Sequence, residues 1–192
     1  MRLFLSLLFL IVIGYYGYRF IQVLLKMRKT KKDVILPTTQ EEIAAIRTYQ
    51  QRTVKFPTYS EQKAGIIMYS LTLLFMFVMF FIGTCLKEFE LSFYPLIFLP
   101  LLHTYNFLDL FAVLDDGILC GTRFIAWGKI KSFEFVRIDM NHKYYGFSKE
   151  VNDKYELRVK AKFHYISCIV TTDEIKEKLN SVLNEHVAVN EE

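Results

Sequence analysis

Apolar and polar positions divide the chain into a first half of long apolar runs and a second half of alternation. Residues 3–25 are apolar except for Ser6, Arg19 and Gln22. Residues 65–86 carry no charge, and residues 91–113 carry one, Asp109. A run of about 22 residues makes about 33 Å of helix, the thickness of a bilayer's hydrocarbon core. Three such helices cannot all be covered inside so short a chain, so three transmembrane helices are expected. The first run has only Arg2 before it, no small-residue cleavage site, and an end rich in Tyr15, Tyr16, Tyr18 and Phe20. It reads as a retained anchor rather than a signal peptide, with Arg19 reaching up to a headgroup layer.

The charges between the runs set an orientation. Residues 26–63 hold nine Lys and Arg against four Asp and Glu, and Lys26, Arg28, Lys29, Lys31 and Lys32 cluster beside the first run. The link 87–90 has one Lys and two Glu. Positive charge stays on the cytosolic side, so the N-terminus is expected outside and everything after residue 113 in the cytosol, in a cell membrane crossed several times. Within the basic segment, Thr38 with Glu41 or Thr39 with Glu42 offers a capping box. Pro37 and Pro57 bracket a helix of about a dozen residues ending near Gln51. Its thin apolar face predicts that it lies on the membrane surface or against the C-terminal domain.

Beyond the third run, Asp115-Asp116-Gly117 signals a turn. Residues 118–120 and 124–127 read as a hairpin around Gly121-Thr122, and residues 130–138 as a strand whose inward face the pattern leaves open. Residues 141–152 are polar and turn-rich. Residues 155–162 alternate cleanly, with Tyr155, Leu157, Val159 and Ala161 opposed to Glu156, Arg158, Lys160 and Lys162, and 165–170 is a nearly continuous apolar strand. A closing helix capped by Thr171 carries the stripe Ile175, Leu179, Val182, Leu183, His186. The expected organisation is a transmembrane helix over 1–25, a basic cytosolic loop with a short helix over 26–63, a transmembrane hairpin over 64–112, and an α+β domain over 113–192. That domain has five or so antiparallel strands closed by one helix.

Composition narrows the function classes. With 53% hydrophobic residues the chain is not disordered, collagenous or a coiled coil. A net charge of +4 from 24 basic and 20 acidic residues is too small for a nucleic-acid binder. Three distant cysteines, Cys85, Cys120 and Cys168, make no disulfide framework. The sequence lacks a Gly-rich phosphate loop, Gly-x-Ser-x-Gly, His-Glu-x-x-His and Cys-x-x-Cys. His164 and Cys168 share a strand face about 13 Å apart, too far to act as base and nucleophile. No catalytic residue, metal or cofactor is expected.

Two polar groups remain as candidate sites. His103, Asn106 and Asp109 recur every three positions in the third run, and Ser70 and Thr72 enter at a similar depth in the second. Their first reading is interhelical hydrogen bonding worth about 0.5–1.5 kcal/mol per contact. A proton or ion path, or a site for an external ligand or another membrane protein, is the alternative. The cluster Lys26, Arg28, Lys29, Lys31, Lys32 is a topology signal that also suits anionic lipid headgroups, at about 1 kcal/mol per basic residue. Trp127, the single tryptophan, fits the sheet core or an exposed partner anchor.

The run from Asp116 to Phe133 contains Gly117, Ile118, Arg123, Ile125, Trp127, Ile130 and Ser132. In this spacing they resemble the opening of bacterial membrane-attached PH-like domain proteins, the YcxB-like and related families of unknown function. The resemblance covers residues 113–187 and departs from the commonest two-helix layout by the extra residues 1–63. It implies a PH-like fold for the C-terminal domain and a bacterial cytoplasmic membrane, and it transfers no catalytic residue. The expected function is non-enzymatic: the domain binds a protein or a lipid headgroup at the bilayer. The alternatives are a toxin-immunity or exclusion factor acting through its helices, and a small transporter or channel subunit.

Overall fold

The computed structural model of the protein describes residues 2–29, 34–48, 52–85, 99–100, 104, 107–162 and 165–188. Among these are two long helices, α1 (Arg2–Lys29) and α3 (Lys63–Cys85). Their stretches Ser6–Arg28 and Lys63–Thr84 are long and apolar enough to cross a membrane. They pack antiparallel: Phe9 meets Met76 and Phe80, and Phe20 stacks on Tyr69 with ring centroids 4.3 Å apart. Gly65 permits the close approach at the start of α3, where a Cβ would collide with the Phe107 carbonyl oxygen. Away from this seam the surface is large and apolar, with Leu7, Ile11, Leu71, Phe75 and Phe81 exposed.

The remaining elements form two four-stranded antiparallel sheets. In chain order they are β1 (Val34–Leu36), α2 (Gln40–Ala44), β2 (Ile46–Arg47), then after α3 β3 (Phe111–Leu114), β4 (Gly117–Cys120), β5 (Arg123–Ala126), β6 (Ile130–Arg137), β7 (Tyr155–Ala161), β8 (Tyr165–Val170) and α4 (Asp173–Ala188). One sheet runs β1-β3-β4-β5 and the other β2-β8-β7-β6. The main core lies between them, where Phe111, Val113, Ile118 and Ile125 face Leu157, Val159, Ile166 and Cys168, and the stripe Ile175, Leu179, Leu183, Val187 of α4 fills the open side.

Several expectations change here. The basic segment 26–63, expected to be a loop with one short helix, supplies an edge strand to each sheet, β1 pairing with β3 and β2 with β8. Its helix is five residues long rather than about twelve, because Ile46 and Arg47 gain ladder partners in Val170 and Ile169. The Thr39–Glu42 capping box forms, and of the two predicted resting places the helix takes the protein, with Ile43 in the core. The domain therefore does not begin at residue 113. The third apolar run ends as strand, since Phe111–Leu114 is β3 rather than helix. The rest of that run, apart from residues 99–100, 104 and 107–110, lies outside the described residues.

Sheet β1-β3-β4-β5 is covered on both faces, which explains a sequence apolar in every strand except for Arg123 at the start of β5. Its outer residues Ala112, Leu114 and Leu119, with Leu108 and Leu110, pack against Val23 and Met27 in the last turns of α1. Gly117 opens β4 at φ +154°, and a Cβ there would collide with the Ile125 carbonyl oxygen on β5. In β6 the register shifts between Ile130 and Ser132. One extra residue on a strand moves the later side chains to the other face, so Ile130, Phe133 and Phe135 all serve the core while Ser132 and Glu134 line the outer face. Trp127 begins a 3-10 turn instead of ending a strand. It is buried, donates its indole N–H to the Leu114 and Asp115 carbonyls at 3.2 and 3.0 Å, and stacks on His186. The α4 cap falls on Thr172, whose hydroxyl accepts from Ile175 N, whereas Thr171 bonds the Ala45 carbonyl and ties α4 to the α2–β2 corner.

Candidate functional site at the helix–sheet junction

The junction between α1 and the sheets leaves a groove of about 490 Å³. Tyr15 and Arg19 enter it from α1, Thr122 and Phe124 from the β4–β5 hairpin, Lys129 from the 3-10 turn and Lys162 from the end of β7. The helix reaches across because Val23 and Met27, one and two turns beyond Arg19, are buried against the sheet. Arg19 lies over the Tyr15 ring, 5.2 Å from its centroid. Among the described residues, the lining includes no Asp or Glu.

A second, shallower groove of about 620 Å³ runs over the outer face of β6, β7 and β8. Here Glu134 stands among four cations, Lys131, Lys143, Arg158 and Lys160. Arg158 lies between Glu156 and Glu134, its Nε donating to Glu156 Oε2 at 2.6 Å and its Nη1 3.9 Å from Glu134, and Lys160 lies 3.6 Å from Glu134. Alternation along β7 puts Glu156 on the charged, outward side of the strand, yet it is fully buried. The excursion 138–154 between β6 and β7 folds over that end of the sheet and makes its own small core from Ile138, Tyr144, Val151 and Ile169. His142 and Lys143, carried on the excursion, each approach the Glu156 carboxylate to 3.0 Å. Burial drives the Glu156 carboxyl upward, but hydrogen bonds and charge from Lys143 and Arg158 prevail and hold it below its ordinary value. A charge so deep stays ionised only because it is paired and bonded.

The sequence-derived candidates scatter. Of the basic cluster, Lys26 is drawn into the fold: it pairs with Asp116 and sits 4.2 Å above the Phe124 ring. Arg28 is exposed, Lys29 ends α1, and Lys31 and Lys32 lie outside the described residues. Of the intramembrane polar set, His103 and Asn106 also lie outside them. Asp109 is not a helix residue; it precedes β3, its carbonyl accepts from Lys55 N at 2.7 Å and Gln62 Nε2 at 3.0 Å, and its carboxylate lies 4.0 Å from Arg52. Burial pushes the Asp109 carboxyl up, opposed by Arg52 and Lys55. Ser70 is exposed on α3, and Thr72 donates to its own helix at Met68 O. The described members of the set thus have separate surroundings.

The motif residues Gly117, Ile118, Ile125, Trp127 and Ile130 are packing positions, as their burial or close backbone contact shows. Arg123 donates to the Tyr165 carbonyl at 3.4 Å, Ser132 lines the outer groove, and Ile125 borders the groove against α1. The thiols are chemically quiet. Burial pushes Cys120 up to about 12 and Cys168 well above its ordinary value, so both stay protonated at neutral pH. Among the described residues, no group of three or more His, Cys, Asp or Glu is placed to hold a metal. Lys129, Lys162 and Glu156 escape sequence reasoning, because no local spacing links Arg19 to residues more than a hundred positions away. Comparison of the chain with family models, with curated proteins and with solved structures finds no match.

Proposed function

We propose that the protein is a multi-pass membrane protein, N-terminus outside and C-terminus in the cytosol, whose two-sheet domain is a non-enzymatic, PH-like binding module held against the bilayer surface. One observation carries this reading. The last turns of α1 are built into the sheet domain through Val23, Met27, Leu110, Ala112, Leu114 and Leu119, so the domain stands at a fixed height on the apolar helices. The buried aliphatic contact leaves little freedom for a swinging tether. The two grooves then lie on rigid walls above the membrane, where a binding site gains most from preorganisation.

A third crossing is consistent with where the described ends lie. α3 leaves Tyr69 beside the sheets and reaches Cys85 about 24 Å farther along its axis. By Thr104 the chain is back, its hydroxyl bonded to Tyr69. Among the described basic residues of 26–63, Lys26, Arg47, Arg52 and Lys55 lie on the side of the sheets, which supports a cytosolic domain by the positive-inside rule. Closure of the two sheets by α4 supports the PH-like reading.

The test combines location and recognition in the full-length chain. After carbonate extraction the protein stays with membranes, a tag after residue 192 is shielded in intact cells, and one before residue 1 is reachable. A photo-crosslinking side chain at Lys160, in the outer groove, captures the module's partner, whereas one at Phe75, on the exposed flank of α3, does not. Capture at Phe75 alone would transfer the function to the helices.

A further inference from the structure

We propose that the open edge of β6, with the basic groove beside it on the outer face of β6–β8, docks an acidic, extended segment of a protein partner as an added strand. The proposal rests on the reading of the two-sheet domain as a binding module and names the chemistry of its partner.

The backbone supplies the first argument. β6 is an eight-residue strand at the end of its sheet, and among the described residues it pairs with β7 alone. The N–H and C=O groups along its other flank form a template to which an extended chain can add. The other strands that end a sheet, β1, β2 and β5, have three, two and four residues, so β6 offers the longest edge. α4 touches β6 from the core side, yet Lys131, Ser132, Glu134 and Arg137 are exposed and Phe133 and Phe135 only half-buried. Those two rings stand edge to face with centroids 6.3 Å apart, and an apolar residue on the inner face of an added strand would cover them.

Charge is the second. Lys131, Lys143, Arg158 and Lys160 line the outer groove against Glu134. With buried Glu156 included, four cations face two carboxylates, and the surplus is two positive charges. Each carboxylate is already shared, Glu134 between Arg158 and Lys160, and Glu156 among His142, Lys143 and Arg158. Spacing is the third. Lys160 lies opposite Ser132 and Arg158 opposite Glu134, while Lys143 reaches Glu156 opposite Val136. The cations thus recur every second residue over about 13 Å of strand. A single phosphate is too small to bridge that row, whereas an extended chain with an acid at every second position follows it, each acid facing the groove. The lysines beside the edge oppose its pairing with a second copy of itself, so the fitting occupant is an acidic partner.

The experiment titrates the full-length protein, in phosphatidylcholine nanodiscs, into a fluorescein-labelled eight-residue peptide of alternating Val and Glu, and reads anisotropy. Wild type binds it, and Lys131→Ala with Lys160→Ala weakens binding about tenfold. Lys55→Ala with Lys63→Ala, exposed lysines outside the groove, removes the same charge and leaves binding unchanged. Successive amides of a strand point to opposite edges, so N-methylation of one alternate set abolishes binding and methylation of the other set preserves it. Unaltered Trp127 emission shows that the variants are folded. Equal effects of the two methylated sets overturn the proposal, as does wild-type binding by the Lys131→Ala, Lys160→Ala protein. Displacement of the peptide when phosphatidylglycerol replaces phosphatidylcholine assigns the groove to lipid and overturns it too. If the peptide fails to bind while the photo-crosslinking side chain at Lys160 still captures a partner, this proposal falls and the binding-module reading stands. Failure of both overturns both.

Discussion

At the scale of single residues, Glu156 is the most informative. Its carboxylate is fully buried yet ionised, with His142, Lys143 and Arg158 around it. Removing one member of such a set leaves the others desolvated without a counter-charge. Lys143 and Arg158 retain some contact with water, which moderates the cost. Glu156→Gln is expected to lower stability at neutral pH by about 2 kcal/mol. The pH dependence has a definite sign. A carboxyl held below its unfolded value stabilises the fold above that value, about 4.3, and this contribution disappears as pH falls through the lower folded pKa. Denaturation midpoints of the two proteins in detergent should therefore be furthest apart near neutrality and converge on acidification below about pH 4. A constant gap across that range would show that the carboxylate's charge is not what matters. Nothing in the sequence marks Glu156 as buried, because alternation along β7 gives its parity and not what covers that face.

Among the elements, α2 shows how five residues hold a corner of the molecule. The Glu42 carboxylate accepts from Thr38 N at 2.7 Å, from the Thr38 hydroxyl at 3.1 Å and from Lys178 Nζ on α4 at 3.1 Å. Burial drives its pKa up, and these bonds together hold it below the ordinary value. Capping by Thr39 and Glu42 is legible from spacing alone, since both partners lie within one turn. The contact with Lys178, 136 positions away, is not. Glu42→Ala is expected to destabilise by about 1–2 kcal/mol, more than an exposed helix position would. Hydrogen exchange should show the loss at the amides of Ile46 and Arg47 as well as in α2, because β2 continues directly from it. Loss confined to residues 39–45 would mean that α2 merely decorates the surface. Element lengths are the less legible part. Helix α2 stops where β2 finds the edge of β8, and propensity has no knowledge of that edge.

For the whole molecule, the sheets are assembled from both sides of α3. β1 and β2 come from before it and β3–β8 from after it, so every sheet pairing of β1 and β2 spans α3. A fragment of residues 113–192 lacks both edge strands and half of β3, and it leaves Leu114 and Leu119 without the α1 residues that cover them. It is expected to be aggregated or unfolded by circular dichroism and gel filtration, whereas the full chain in detergent is cooperative. A soluble, cooperatively folding fragment would restore an independent domain beginning at residue 113 and weaken the case for a fixed height above the bilayer. The same arrangement unites the membrane-crossing and binding readings proposed above, since α1, long and apolar enough to cross a membrane, is also a wall of the groove.

Features that depend on neighbours along the chain are legible in the amino-acid order alone. The two long apolar helices and strand 165–170 follow from continuous apolarity, strand 155–161 and the stripe of α4 from the period of their own element, and the β4–β5 hairpin at Gly121 and the Thr39–Glu42 cap from residues a few positions apart. Only the folded arrangement sorts the apolar residues left exposed from those that meet protein. Phe111–Leu114 and residues 73–82 of α3 carry the same continuous apolarity, yet the strand is buried on both faces whereas Leu74, Phe75, Phe77 and Phe81 of the helix are exposed. Folding also fixes where the charges gather. Arg19, Lys129 and Lys162 converge only after the β7 end and the 3-10 turn are brought against α1, and Glu156 becomes a buried charge only when residues 138–154 fold over it. Hydrophobic periodicity records the face a residue presents, whereas long-range packing selects what that face will touch.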